Sequence, residues 1–183
     1  MDKKDLIRER FIVKRKKKYF QVSKNLFYPL IKLTKSYNKK KKLNISLYYP
    51  SNFELDVLKI LDVPKLKKIN FLLPIVEDNN SMNFHKWKKS DILTVNKYGI
   101  LEPFKSKILI PNIILVPLVA FDNELNRIGY GGGFYDRYIK KIKKKKKIIT
   151  IGLAFSFQEV KKIETNKFDI KLDFIVTEKK RIQ

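Results

Sequence analysis

One short segment, residues 127–138, gathers the residues of this chain that are best suited to bind a charged ligand. Four of the six glycines of the chain fall within it, at Gly129 and Gly131–Gly133. Glycine reaches backbone conformations with positive φ and lets a ligand approach the main chain closely. Tyr135 and Tyr138 begin a pattern of helical spacing, so a helix is predicted to start directly after the glycines. The free N–H groups at such a helix start attract phosphate.

Two charged residues flank this glycine loop. Asp136 lies in the first predicted helical turn, where it is placed to hold a cation beside a phosphate, and Arg127 lies before the glycines. Together they indicate a nucleotide phosphate with Mg²⁺. The loop is neither a P-loop nor a dinucleotide fingerprint, because no Lys-Ser or Lys-Thr follows it and its glycine spacing differs. The alternative is a tight hairpin between Phe121 and Gly133 that binds nothing, with Asp136 paired to Lys140 four residues on.

The elements that must position this loop alternate between helices and strands. A helix is predicted over residues 3–33, broken near Tyr28-Pro29, and another over 54–61. Strands are predicted over residues 43–49, 68–76, 82–87, 113–116, 148–153 and 174–176. This alternation predicts a mostly parallel sheet covered on both faces, whose ligands bind beyond the carboxyl ends of the strands. The glycine loop follows the strand at 113–116, so it is expected at that edge.

Composition predicts a single domain spanning residues 1–183. The chain is 44% hydrophobic, which is typical of a globular protein with a sizeable core. It has no cysteine, which excludes disulfides and thiolate zinc sites. Residues 79–81 are predicted to form a turn rather than a domain boundary. The charged N-terminal residues lack an apolar signal core, and the longest apolar run, 113–121, is too short to span a bilayer. We therefore expect a soluble, cytoplasmic monomer with no membrane partner.

The formal charge of +24 raises the question of nucleic-acid binding. Of the 42 basic residues, 36 are lysine and six are arginine. This excess of lysine, with abundant Phe, Tyr, Ile and Asn, is typical of codon drift in an AT-rich genome. A nucleic-acid reader more often uses arginine for bidentate contacts. The lysine runs at 16–18, 39–42 and 143–147 are predicted to be solvated surface, and no specific nucleic-acid partner is expected.

The segment from residue 116 to 137 resembles 5-formyltetrahydrofolate cyclo-ligase, also called 5,10-methenyltetrahydrofolate synthetase. An apolar strand and a proline lead into Ala120-Phe121-Asp122, followed by Arg-x-Gly-x-Gly-x-Gly-aromatic-Tyr-Asp from Arg127 to Asp136. Further segments resemble the same family in the same order, and the resemblance extends over nearly the whole chain. These segments are Lys4-Asp5-Leu6-Ile7-Arg8, Leu47-Tyr48-Tyr49-Pro50 with Glu54-Leu55-Asp56, Tyr98-Gly99-Ile100-Leu101-Glu102-Pro103, and Phe168-Asp169-Ile170-Lys171-Leu172-Asp173. In the last of them Phe168 stands where the family has histidine.

The resemblance implies a fold and a reaction. The fold is a doubly wound α/β sheet with helices on both faces, similar to that of ribose-phosphate isomerase and CoA transferases. The reaction converts 5-formyltetrahydrofolate and ATP to 5,10-methenyltetrahydrofolate, ADP and phosphate. The γ-phosphoryl group activates the formyl oxygen, and N10 of the folate then attacks. No protein nucleophile is needed, which agrees with a chain that has no cysteine and one histidine.

The resemblance also implies roles for individual residues. The ATP site is matched by Lys4, Arg8, Arg127, Ile128, Gly129, Tyr130, Gly131, Gly132, Gly133, Phe134 and Tyr135, with Arg127 assigned to charge stabilisation. The folate site is matched by Tyr49, Glu54, Tyr98, Tyr130, Gly131, Gly132, Gly133 and Phe134. Asp136 and Asp169 are matched to the Mg²⁺ ligands. The carboxylate of Glu54 would accept hydrogen bonds from the pterin, and the aromatic faces would stack on its rings. Folates with polyglutamate tails would be attracted by the positive charge.

Three other functions remain open from the sequence. The charge alone suggests a basic nucleic-acid-binding protein, but that reading leaves the glycine loop unexplained. Another enzyme of the same fold, such as a sugar-phosphate isomerase, would not need Mg-ATP. A degenerate family member that binds without turnover is suggested by the lysine drift and by Phe168. His85 and Trp87 are expected to be structural residues in all of these cases.

Overall fold

The computed structural model describes residues 2–35, 42–64, 69–77 and 81–182 of the chain. The lysines at 39–41 therefore lie outside the described residues. So do residues 79 and 80 of the turn predicted at 79–81. In the described part, no helix combines the length and apolar character needed to cross a membrane.

The predicted alternation of helices and strands holds only outside residues 82–128, within which strands follow one another without a helix between them. The α-helices are α1 (Lys3–Lys18), α2 (Tyr28–Lys35) and α3 (Phe134–Lys143). Short 3₁₀ helices cover Lys24–Phe27, Val57–Asp62 and Ser156–Gln158. The strands are β1 (Asn44–Ser46), β2 (Asn70–Val76), β3 (Met82–Lys86), β4 (Leu93–Val95), β5 (Leu101–Pro103), β6 (Ile113–Pro117), β7 (Ala120–Phe121), β8 (Arg127–Ile128), β9 (Ile149–Leu153), β10 (Phe174–Val176) and β11 (Arg181–Ile182).

The central sheet has seven strands in the order β11-β10-β9-β6-β1-β2-β3. The five inner strands are parallel, and the edge strands β3 and β11 are antiparallel to their neighbours. The chain builds outward from β1 to β3 on one side and from β6 to β11 on the other. The order thus reverses between β1 and β6, and ligands of such sheets bind at the carboxyl ends of the strands beside this switch point. The predicted doubly wound α/β fold is confirmed.

Side chains alternate between the two faces of the sheet, as β6 shows. Ile113 and Leu115 lie in the cluster formed with α2 and the 3₁₀ helices, whereas Ile114 and Val116 lie in the cluster formed with α3. All four side chains are fully buried. Continuous burial on both faces explains why this strand is an unbroken apolar run, as expected for a central parallel strand.

Helix α1 lies at the edge of the sheet rather than on a face. Its Phe11 packs with Val119, Ala120 and Ile128 of the hairpin β7–β8, in a small cluster of its own. Because the hairpin follows β6 directly, α1 crosses the carboxyl edge of the sheet. The predicted ligand edge is therefore flanked by a helix whose N-terminal half is rich in charged residues.

Two predicted helices differ from the structure. The break in the predicted helix 3–33 is not at Tyr28-Pro29, because α1 ends at Lys18 and Tyr19 is already extended. Pro29 instead lies in the first turn of α2, where the missing N–H costs no hydrogen bond. The predicted helix 54–61 is a 3₁₀ helix over Val57–Asp62, which the Asp56 side chain caps by accepting from Leu58 N. The limits of the six predicted strands differ by only a few residues, whereas β4, β5, β7, β8 and β11 were not predicted.

Candidate functional site

The glycine loop is separate from the hairpin that precedes it. The turn of β7–β8 is organised by Asp122, whose Oδ1 accepts hydrogen bonds from Glu124 N and Asn126 N, each at 3.0 Å. The hairpin strands end at Ile128, before the glycine run begins. The alternative of a tight hairpin between Phe121 and Gly133 is therefore wrong in its extent, because the hairpin ends at Ile128 and leaves the glycine run outside it.

The loop turns sharply into α3 by using left-handed backbone conformations. Gly131 has φ +97° and Gly133 has φ +64°, values that residues other than glycine rarely adopt. Helix α3 then begins at Phe134, as predicted, and no side chain caps it. The first N–H groups of an α-helix have no partner within the helix. Together with the helix dipole they make this end of α3 suitable for a phosphate.

Helix α1 presents a stripe of cationic residues to the glycine loop. Lys4, Arg8 and Arg15 are four and seven residues apart, so they lie on one face of the helix. The Nε of Arg8 donates to the carbonyl oxygen of Gly129 at 2.8 Å. Its guanidinium carbon lies 3.6 Å from the position that a Cβ on Gly131 would occupy. Arg8 therefore lies directly over the glycine loop, and it also pairs with Asp5 one turn earlier.

Lys4 pairs with one of the two predicted metal ligands. Its Nζ lies 2.6 Å from Asp169 Oδ2, and that oxygen also accepts from Asn166 N at 2.8 Å. Burial opposes the ionisation of Asp169, but the hydrogen bonds from Lys4 and Asn166 and the charges of Lys4 and Arg127 outweigh it and lower its pKa. The carboxylate is therefore ionised at neutral pH.

Arg127 pairs with the other predicted metal ligand, Asp136. Its Nη2 lies 2.9 Å from Asp136 Oδ2, and its Nη1 donates to the carbonyl oxygen of Ile170 at 2.8 Å. Asp136 Oδ1 in turn accepts from Ile170 N at 3.0 Å. The partner of Asp136 is thus Arg127, and the pairing with Lys140 that the alternative interpretation required is wrong. Since Ile170 follows Asp169 in the chain, these bonds bring the two carboxylates into one region at the start of α3.

Glu54, the predicted folate-binding acid, is buried beside the loop. Its Oε2 accepts from Ser51 N at 2.8 Å, and its carboxylate interacts with the hydroxyl of Tyr130. Burial raises the pKa of Glu54, and the bond from Ser51 N, the charge of Arg15 and the interaction with Tyr130 offset this rise only in part. The structure therefore joins the segment after β1 to the glycine loop across the switch point of the sheet.

Arg15 is a member of this arrangement that sequence reasoning missed. Its side chain is 1% exposed, and its Nη2 lies 2.5 Å from the hydroxyl oxygen of Tyr130. Two signals were available in the sequence. Arg15 continues the helical stripe of Lys4 and Arg8, and it is an arginine at the head of a run of lysines.

The comparisons with known proteins agree with this geometry. The model of the 5-formyltetrahydrofolate cyclo-ligase family matches residues 2–178. The chain belongs to this family. Its enzymes catalyse the ATP-dependent cyclisation of 5-formyltetrahydrofolate, so the ligase activity expected from the sequence is confirmed.

Individual relatives support the assignment. The 5-formyltetrahydrofolate cyclo-ligase of Haemophilus influenzae is 31% identical, over 70% of this chain and 72% of its own. That of Mycoplasma genitalium is 32% identical, over 73% of this chain and 71% of its own. The solved structure of Aquifex aeolicus 5,10-methenyltetrahydrofolate synthetase superposes with a TM-score of 0.73 at 32% identity, covering 97% of this chain and 91% of that one. The synthetase from Mycoplasma pneumoniae shares the fold, with a TM-score of 0.69 at 22% identity over 96% of this chain and 98% of that one.

The aromatic residues matched to the folate site of the cyclo-ligases are partly brought together. Tyr98, in the turn between β4 and β5, packs edge-on against Phe134 with ring centroids 5.8 Å apart. Tyr98 is half exposed, so its ring is accessible. Tyr49 instead packs against the core cluster beneath α2. A stacking role for these rings stays a prediction.

The position at which the cyclo-ligases have histidine is on the surface here. The side chain of Phe168 is 64% exposed, and Lys167 Nζ lies 5.2 Å from its ring centroid. The single histidine of the chain, His85, is buried in β3 with its Nδ1 3.0 Å from Ser106 N. His85 thus has the structural surroundings expected of it and does not replace the missing imidazole.

The two carboxylates fit a magnesium ion that is shared with a nucleotide. Among the described residues, no group of three His, Cys, Asp or Glu side chains could hold a metal by itself. Magnesium is usually held by one or two carboxylates together with substrate phosphates and water. Asp136 and Asp169, next to the uncapped start of α3, supply such a set. Their role as Mg²⁺ ligands stays a prediction.

Proposed function

We propose that this chain forms 5,10-methenyltetrahydrofolate by transferring the γ-phosphoryl group of Mg-ATP to the formyl oxygen of 5-formyltetrahydrofolate. The triphosphate would lie over the glycine loop at the start of α3, and the pterin would lie against Glu54. The observation that carries the proposal is the set of ion pairs around this helix start, which brings Lys4, Arg127 and their carboxylate partners together.

Each of three ion pairs in the ligand-free site is neutral by itself. Three cations, Lys4, Arg8 and Arg127, are each paired with one carboxylate, from Asp169, Asp5 and Asp136 respectively. A triphosphate without a metal would therefore meet three carboxylates as well as these cations. The nearby carboxylates favour a substrate that brings its own divalent cation.

We infer that Mg-ATP binds by exchanging the partners within these pairs. The phosphate oxygens would take Lys4 and Arg127, and Asp136 and Asp169 would turn to the divalent cation. After this exchange, each of these four side chains would again lie beside an opposite charge. Arg127 is the more constrained cation, because its other nitrogen remains bonded to the Ile170 carbonyl.

The reaction balances without a protein nucleophile. The formyl oxygen attacks the γ-phosphorus, and the bond to ADP breaks. N10 of the folate then attacks the activated carbon and loses its proton. The carbon–oxygen bond breaks last and releases phosphate. Positioning and charge stabilisation are the contributions required of the protein in such a transfer, and a chain without cysteine can supply both.

Substrate choice is the second part of the proposal. In its ionised form, Glu54 is suited to accept hydrogen bonds from the donor groups of a pterin. The formal charge of +24 would attract folates that carry polyglutamate tails. A comparison of KM for monoglutamate and triglutamate substrates at two ionic strengths tests this part. A cytoplasmic monomer remains our expectation, and analytical ultracentrifugation tests the oligomeric state.

One assay tests the activity. Purified protein is mixed with 5-formyltetrahydrofolate, ATP and Mg²⁺, and the methenyl chromophore is followed. We expect product only when ATP and a divalent cation are both present. Equal product without ATP contradicts the proposed mechanism. Folded protein that binds both substrates without forming product identifies a degenerate member of the family.

A further inference from the structure

In the part of the chain that the structure describes, Arg15 is a buried cation without a carboxylate in contact. Its side chain is 1% exposed, and its Nε has no hydrogen-bond partner among the described residues. Burying a charge costs several kcal/mol unless another charge or hydrogen bonds compensate. The other buried arginine, Arg127, has Asp136 as a direct partner. The position of Arg15 therefore requires an explanation of its own.

The hydroxyl of Tyr130 is the closest partner of Arg15. The second contact, from Nη1 to the Leu118 carbonyl, is long at 3.4 Å. That carbonyl already accepts from Gln158 Nε2 at 3.1 Å, and the same nitrogen donates to the Val119 carbonyl at 2.8 Å. The guanidinium is thus held mainly by Tyr130, at 2.5 Å.

The direction of the hydrogen bonds follows from the donor inventory. A guanidinium can only donate, so the hydroxyl oxygen of Tyr130 accepts from Arg15. The single O–H of Tyr130 is then free to donate, and the Glu54 carboxylate is the negative charge that acts on this hydroxyl. Glu54 already accepts from Ser51 N on Oε2. A hydroxyl that accepts from Arg15 and donates to Glu54 requires Glu54 to be an acceptor.

We propose that Arg15 is a positioning residue for the folate, which acts through the Tyr130 hydroxyl to orient Glu54 and keep it an acceptor-only carboxylate. The same bond ties the glycine loop, through Tyr130, to the segment after β1. This inference rests on the proposed role of Glu54 in binding the pterin. It predicts that Arg15 affects folate binding although it does not touch the folate.

The surroundings of Glu54 support this role. The charged and titratable groups that act on it are Arg15 and three tyrosines, Tyr48, Tyr130 and Tyr135. Burial and the charge of Glu54 raise the pKa of Tyr130, so this tyrosine stays a neutral donor. Arg15 is the positive charge in this group, and it lowers the pKa of Glu54 against the effect of burial. Removing Arg15 should raise the pKa of Glu54 further, so that folate binding is lost at a higher pH than in the parent enzyme.

The test compares Arg15→Met with Arg10→Met. Arg10 lies on the same helix but is exposed, so it controls for the loss of an arginine. Steady-state kinetics are measured from pH 5 to 9 for both substrates. We expect Arg15→Met to raise the folate KM by about 10-fold or more, the range of a hydrogen bond to a charged group. The acidic limb of its folate kcat/KM profile should move to higher pH, whereas the ATP KM should stay within about twofold because ground-state phosphate contacts are unchanged.

Two further variants keep the proposal testable if Arg15→Met does not fold. Tyr130→Phe removes only the bridging hydroxyl and should reproduce the effect on folate KM. The double variant of Arg15 and Tyr130 should be little worse than either single variant, because both remove the same chain of bonds. Arg15→Lys retains the charge and should keep the acidic limb near that of the parent enzyme.

Glu54→Gln separates the two proposals. A Tyr130→Phe or Arg15→Met enzyme with unchanged folate KM and pH profile overturns the role of Arg15 if Glu54→Gln still raises the folate KM. If Glu54→Gln has no effect either, the assignment of Glu54 to the pterin is wrong.

Discussion

The sharpest test of the site is the substitution Asp136→Asn, which removes a charge and keeps the shape of the side chain. The asparagine can still accept the hydrogen bond from Ile170 N, but Arg127 loses its counter-charge. An exposed ion pair contributes about 0–1 kcal/mol, and breaking a fully buried pair costs about 3–5 kcal/mol. The side chain of Asp136 is 24% exposed and that of Arg127 is 4% exposed. The pair is therefore intermediate, and we expect a loss of about 2 kcal/mol in the free energy of unfolding.

This loss predicts a measurable change in thermal stability. For a chain of 150–250 residues, 1 kcal/mol corresponds to about 2–4 °C, so Tm should fall by about 4–8 °C. If Asp136 also binds the divalent cation of Mg-ATP, the Mg²⁺ concentration required for half-maximal rate should rise and kcat should fall by about 10²-fold. The enzyme should still be folded at 25 °C.

Asp173→Asn is a matched control for the structural part of the effect. Asp173 also combines an ion pair, with Lys143, and a backbone hydrogen bond, from Thr150 N. It lies at the amino end of β9 and β10, away from the start of α3. Because the pair of Asp173 and Lys143 is more exposed, at 38% and 35%, a smaller fall in Tm with normal Mg²⁺ dependence is expected for it. If Asp136→Asn lowers Tm by the expected value of about 4–8 °C but leaves the Mg²⁺ requirement unchanged, the metal role is refuted. If Asp136→Asn leaves Tm unchanged, the ion-pair argument is refuted.

Three other predictions concern the two substrate pockets, the glycine loop and the excess of lysine. Lys4→Ala and Arg8→Ala should raise the ATP KM more than the folate KM, and Glu54→Gln should do the reverse; a swapped pattern in steady-state kinetics means that the two pockets are misassigned. Gly131→Ala should lower Tm by about 3 °C, since a left-handed conformation costs a non-glycine residue about 1–2 kcal/mol, whereas Gly129→Ala should leave Tm unchanged because a Cβ there meets open space. DNA binding should be weak, sequence-blind and steeply lost with salt if the lysine excess is solvated surface. Tight, sequence-selective binding at physiological ionic strength contradicts that interpretation.

Much of the architecture was predictable because it depends on local sequence patterns, such as apolar runs and the spacing of neighbouring residues. The unbroken apolar run Ile113–Val116 predicted a central parallel strand, which β6 confirms with one more residue, and Phe174–Val176 was predicted with the limits it has. The glycine loop and the helix after it depend on residues close in the chain, so their positions followed from spacing alone. The order of five short family segments sufficed to predict the family and its reaction.

The partners of the charged residues were decided only by the tertiary structure. Lys4 and Asp169 are 165 residues apart, and no local pattern predicts that they meet. Asp136 had a plausible local partner in Lys140, yet it pairs with Arg127 because the hairpin β7–β8 returns that side chain to the start of α3.

The location of α1 was also decided only by the tertiary structure. A helix with a run of lysines was predicted to be solvated, and its C-terminal lysines are exposed. Arg15 is nevertheless fully buried, because Phe11 anchors the helix on the hairpin at the carboxyl edge of the sheet. Helical spacing determined that Lys4, Arg8 and Arg15 share a face. Only the packing of that face against the glycine loop decided that Arg15 would meet Tyr130, since burial depends on the neighbour that covers a surface and not on the residue alone.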